Sequence, residues 1–135
     1  MAVQLSVAVR NARVDQIETT IGASAILRIR TGAAPANCAA ADTGTILAEM
    51  TLPVSWMANA SGGTAALSGT WQDASANNTG TAAHFRIYDS TGATCGLQGT
   101  VTATGGGGDL TLDNTSIASG QQVTITSFSI TDGNA

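Results

Sequence analysis

Apolar residues follow two successive periods along this chain. Over residues 6–22, Val14, Ile17 and Ile21 recur at i, i+3 and i+7, with alanines and Val9 beside them, which predicts one amphipathic helix. Ser6 stands where an N-cap is needed, and Gly22 where a helix is stopped by a residue free of a Cβ. Arg10, Arg13 and Glu18 take the polar positions. Val3, Leu5, Val7 and Val9 also alternate as a strand would, but the helical period runs much further and is preferred.

From residue 24 the period drops to two. Ala25, Leu27 and Ile29 face one way, and Ile26, Arg28 and Arg30 the other, until Thr31-Gly32 closes the run. Residues 32–44 read as a loop of small residues. Ile46, Ala48, Met50 and Leu52 alternate with Thr45, Glu49 and Thr51, and Pro53 ends that strand because it has no N–H for a ladder. Shorter strands are predicted at 64–71, 82–88 and 97–104, followed by Leu110 and Leu112 and a last strand at 121–131. In that last strand the apolar parity slips between Ile125 and Phe128, which a β-bulge near Thr126-Ser127 would produce. Gly105–Gly108 reads as a flexible connection. The pattern gives about seven or eight strands behind one helix. The expected fold is therefore mainly β: a β-sandwich or jelly-roll-like domain with one N-terminal helix, residues 1–135 forming a single domain with the helix at 6–22 and the β domain at 24–131.

Composition narrows the partners. Hydrophobic residues make up 43% of the chain and charged residues only 10%, so the chain is read as folded, with a surface wetted by Thr, Ser, Asn and Gln. There is no Lys; Arg10, Arg13, Arg28, Arg30 and Arg86 are the five cations against nine acids. A nucleic-acid binder needs a basic stripe, so neither nucleic acid nor an anionic membrane is expected as a partner. No apolar run reaches membrane-spanning length, and the start of the chain lacks the pattern of a secretion signal, which predicts synthesis in a cytosol.

Candidate chemistry is sparse. Asp42-Thr43-Gly44 matches the short signature of aspartic proteases, but Ala39-Ala40-Ala41 precedes it where an apolar strand is expected, and the tripeptide is also an ordinary turn. His84 lies beside Arg86 and Tyr88 on one strand face with no partner motif, so a solvent-facing or interface position is expected rather than a general base. Cys38 and Cys95 are read as free thiols in a reducing cytosol, with a disulfide open to them after release. Zinc is not expected, nor is calcium at Asp109, Asp113 and Asp132, whose spacing lacks a calcium-loop pattern. Trp56 and Trp71 are read first as core, then as interface anchors, then as a platform for sugar rings. The expected picture is a non-enzyme without catalytic residues, cofactor or metal. Arg28, Arg30, Trp56 and Arg86 are its candidate protein-interface residues.

Several segments, taken in order, carry a resemblance. They are Ala8-Val-Arg-Asn-Ala-Arg-Val-Asp-Gln-Ile17, Leu27-Arg-Ile-Arg-Thr-Gly32, Pro35-Ala-Asn37, Gly80-Thr-Ala-Ala-His-Phe-Arg86, Leu112-Asp-Asn-Thr-Ser116 and Gly120-Gln-Gln-Val-Thr-Ile125. This order resembles a family of small tailed-phage and prophage head proteins that includes the capsid cement, or decoration, protein of a Bordetella podophage. The resemblance implies a homo-oligomeric virion protein on the capsid exterior, bound to the major capsid protein and bracing the shell against packaged DNA. A tail or fibre component, or a carbohydrate- or surface-binding module, is the alternative.

Overall fold

The Ser6 hydroxyl accepts the N–H of Val9 at 3.3 Å and so starts the helix. In this computed structural model, which describes residues 3–133, α1 spans Val7–Ile21. Gly22 ends it with φ at 101°, and its N–H bonds Glu18 O at 2.8 Å. Val14 and Ile21 are buried and Ile17 packs beside them, as the period requires.

The polar side of α1 is not left to solvent. Arg10 is buried and donates to Asp132 O, from Nη2 at 3.0 Å and from Nε at 3.1 Å. Asn11, Asp15 and Glu18 accept the backbone N–H groups of Gly63 at 2.8 Å, Ala60 at 2.7 Å and Met57 at 2.5 Å. Their i, i+4, i+7 spacing makes a ladder of side-chain acceptors, and the irregular segment 57–63 satisfies its donors on the helix instead of on a strand.

Eleven strands follow among the described residues: β1 (Ile26–Arg30), β2 (Ile46–Thr51), β3 (Thr64–Ala66), β4 (Trp71–Asp73), β5 (Gly80–Thr81), β6 (His84–Tyr88), β7 (Cys95–Ala103), β8 (Leu110–Leu112), β9 (Ser116–Ile117), β10 (Val123–Ile125) and β11 (Ser129–Thr131). Five form one sheet in the order β2-β1-β6-β7-β8; the others pair as β10-β4, β11-β3 and β5-β9. The chain is thus mainly β with one helix, in a β-sandwich-like arrangement. Leu27 and Ile29 of β1 lie opposite Ile87 and Phe85 of β6, and all four are buried. Aromatic rings then carry the core from the large sheet to the small ladders. Phe85 meets Phe128 edge-on at 5.7 Å, Phe128 meets Trp71 at 5.5 Å, and Trp71 meets Trp56 at 6.0 Å. No helix among the described residues is long and apolar enough to cross a membrane.

Two predicted strands divide. The 64–71 segment supplies β3 and the start of β4, which belong to different ladders, and 121–131 supplies β10 and β11. The parity slip at Thr126-Ser127 is therefore not a bulge: there the chain leaves the ladder with β4 and joins the ladder with β3.

Gly105–Gly108 is likewise not a flexible connection. Parallel neighbours ordinarily need a crossover of about a dozen residues or more, yet β7 and β8 are parallel and joined only by residues 104–109. Gly105 and Gly107 take positive φ, and a Cβ on Gly106 or Gly108 would come within 2.8 Å of Thr102 Oγ1. Gly108 N–H is bonded to that hydroxyl at 2.9 Å, and Asp109 Oδ2 holds the Thr100 N–H at 2.9 Å.

Candidate functional site

The face of the large sheet away from the aromatic core is built from the polar parity of three strands. Across β1, β6 and β7, Arg28 stands opposite Arg86, which stands opposite Gln98; Arg30 stands opposite His84, which stands opposite Thr100. Tyr88 stands opposite Ile26 on one side and Cys95 on the other. Two arginines facing each other across a ladder repel, and each has its own carboxylate. Arg28 bonds Glu49, its neighbour on β2, at 2.6 Å, and its guanidinium lies 4.7 Å from the Tyr88 ring centre. Arg86 Nη1 bonds Asp42 Oδ1 at 2.7 Å.

Asp42 belongs to the 32–44 loop, which lies over this face. Its Oδ1 also accepts the Tyr88 hydroxyl at 2.6 Å, and its Oδ2 accepts Arg30 Nη2 at 3.1 Å. Arg86 further donates to Asn37 O at 2.8 Å, Ala40 O at 3.1 Å and Gln98 Oε1 at 3.0 Å. Gln98 holds Pro35 O at 2.7 Å, and His84 Nδ1 lies 2.6 Å from Gly32 O. The loop is short of regular structure because its backbone acceptors are bonded by side chains from the sheet beneath. Thr31 completes the closure: its Oγ1 accepts the Thr45 N–H at 2.9 Å, and its own N–H bonds Thr45 O at 3.1 Å.

The electrostatics follow from this arrangement. Burial pushes the Asp42 carboxyl up, but hydrogen bonds from Tyr88 and Arg86 and the charges of Arg30 and Arg86 outweigh it and hold the group below the ordinary value. Burial and the hydrogen bond to Asp42 raise the Tyr88 phenol. An ionised Asp42 with three donors is suited to clamping a loop. Its partners are two cations and a phenol, not the second carboxylate that a shared-proton pair requires. Among the described residues no cluster of three or more His, Cys, Asp or Glu side chains could hold a metal.

Several expected placements change. Arg30 and Arg86 are buried beneath the loop, with Arg86 only 2% exposed, so their guanidiniums face the chain's own carbonyls and Asp42 instead of a partner. Trp56 is 0% exposed; its indole N–H bonds Gly22 O at 3.0 Å and its ring packs on Trp71, which removes both tryptophans as interface anchors or sugar platforms. Arg28 is half-buried and paired with Glu49. His84 is fully buried, not solvent-facing, and its Nε2 has no hydrogen-bond partner among the described residues, as is the case for Arg30 Nε opposite it. Asp109 is held by Thr100, and Asp132 lies 3.3 Å from Arg13.

Asp42, Asn37, Tyr88 and Gln98 complete the clamp and were not singled out together by sequence. Their one visible signal is the alternation of His84, Arg86 and Tyr88 with Phe85 and Ile87 in a strand that proves buried on both faces. Cys38 and Cys95 are unbonded thiols, as expected, but the fold brings them to one cleft of about 250 Å³ with Asp42, Arg86 and Tyr88. No family model, curated protein or solved structure matches this chain.

Proposed function

We propose that this chain is a non-enzymatic cement, or decoration, protein of a tailed-phage head, seated on the outside of the capsid shell and bracing neighbouring major capsid subunits. The observation that carries the reading is what the fold does with its few charges. Arg28, Arg30 and Arg86 are paired inside the chain with Glu49 and Asp42. Apart from Glu49, which Arg28 pairs, the strand positions left exposed, among them Thr51, Gln72, Thr81, Thr100, Thr124 and Ser129, are short or neutral.

Such a surface loses little side-chain entropy when it docks, and it has little charge to desolvate. Exposed Val3, Val7 and Val9 add apolar area at the start of α1. Each contact would be weak, and a lattice of shell subunits would compensate by multivalency, especially for a protein that also self-associates. The order of sequence segments that resembles phage head proteins supports the same reading.

Quantitative mass spectrometry of purified particles, from a cell carrying the gene, tests it. A copy number in the hundreds, comparable with the major shell protein, is expected. A handful of copies would overturn the cement role in favour of a tail or portal component. Complete absence would overturn a virion role altogether.

A further inference from the structure

Cys38 sits at the centre of the clamped loop. The carbonyls on either side of it, of Asn37 and Ala40, are both bonded to Arg86, and the Asn37 side chain accepts the N–H groups of Ala39 at 2.9 Å and Ala40 at 3.1 Å. Cys95 opens β7 directly opposite Tyr88, two residues along β6 from Arg86. The two thiols are half-buried, line the same cleft and interact with each other. Burial, then the hydrogen bond to Cys38 and the charge there, push the Cys95 thiol up to about 12, while the charge of Arg86 acts in the opposite direction.

We propose that Cys38 and Cys95 form an oxidisable dithiol whose disulfide staples the 32–44 loop to β7, closing residues 39–94 into a covalent ring. The oxidant is a small disulfide. Cys38 gives its proton to solvent and its sulfur attacks one sulfur of the small disulfide, which forms a mixed disulfide and expels the first small thiolate, which takes up a proton. Capping leaves Cys95 next to the mixed disulfide in the same cleft, with the charge of Arg86 favouring its thiolate. Cys95 then loses its proton to solvent and attacks the Cys38 sulfur, which breaks the mixed disulfide and releases the second small thiolate. Two protein thiols are oxidised and one small disulfide is reduced to two thiols. The staple joins the loop to β7, which Gln98 already holds through Pro35 O at 2.7 Å, beside the bond from Asp42 to Arg86 on the adjoining strand β6.

The test uses the full chain, reduced and then incubated with oxidised glutathione. Intact mass should fall by about 2 Da as two hydrogens are lost, and peptide mapping should join Cys38 to Cys95. The melting temperature should rise by about 5–10 °C and return on adding reductant. Cys38→Ser and Cys95→Ser should each show neither the mass loss nor the shift. A glutathione adduct that never resolves, a disulfide-linked dimer, or thiols that stay free under oxidation would overturn the proposal. So would an intramolecular disulfide that leaves the melting temperature unchanged.

Discussion

The Tyr88 hydroxyl donates to Asp42 Oδ1 at 2.6 Å, joining a strand residue to a loop residue 46 positions earlier. The same oxygen takes Arg86, so one carboxylate neutralises the guanidinium most deeply buried in the sheet. Breaking a buried ion pair from one side costs about 3–5 kcal/mol. The Asp42 side chain is 38% exposed, however, so water will replace part of what is lost. Asp42→Asn should therefore lower unfolding stability by about 1–3 kcal/mol, read from urea melts. A change within error would mean that the clamp contributes nothing to stability.

The same carboxyl predicts an acid limb. Its native value lies below the ordinary 3.8, so the unfolded chain takes up the proton first as pH falls. Its contribution is whole above that value and is lost as pH drops through it toward the lowered native value. Urea midpoints taken from about pH 6 to about pH 2 should fall, and Asp42→Asn should flatten part of the fall. Asp89, also lowered by its hydrogen bond from Thr91, remains in both proteins, so some slope should persist.

Phe128 is the ring between the large sheet and the tryptophans, 5.7 Å from Phe85 and 5.5 Å from Trp71. Phe128→Ala should cost about 3–5 kcal/mol by leaving a cavity among buried rings. Tryptophan emission should shift to the red as Trp71 loses its cover. Unchanged emission with full stability would contradict the packing described.

Gly99 stands opposite Phe85 in the β6–β7 ladder, and a Cβ there would come within 2.7 Å of the Phe85 ring and 2.9 Å of Asp109 Cβ. Gly99→Ala should destabilise by about 1–3 kcal/mol through overpacking. Calorimetric melting of the variant is the check; a gain in Tm would show that β7 has room to move.

Which of these features the sequence reveals depends on range. Ser6 and Gly22 mark the helix ends within a few residues of what they cap, and alternation places Leu27 and Ile29 in the core and Arg28 and Arg30 on the other face. Whether that other face meets water depends on a loop, and a loop has no period. Arg30 and His84 are buried only because the 32–44 segment lies across them. Asn11, Asp15 and Glu18 pose the same difficulty, since a stripe of polar side chains looks alike whether it accepts bonds from solvent or from the backbone of residues 57–63. The split at Thr126-Ser127 was visible as a parity slip, but a bulge and a change of sheet leave the same trace.

The hydrogen bonds from Arg10 to Asp132 O span 122 positions of the chain. While the protein is being made, the helix emerges early, and until the last strand follows its buried guanidinium lacks both of these bonds and has only Gly62 O, at 3.4 Å, to donate to. The fold is thus completed only after nearly all of these residues have left the ribosome, and a chain cut short before Asp132 keeps the helix on residues 57–63 but without its tie to the other end of the chain.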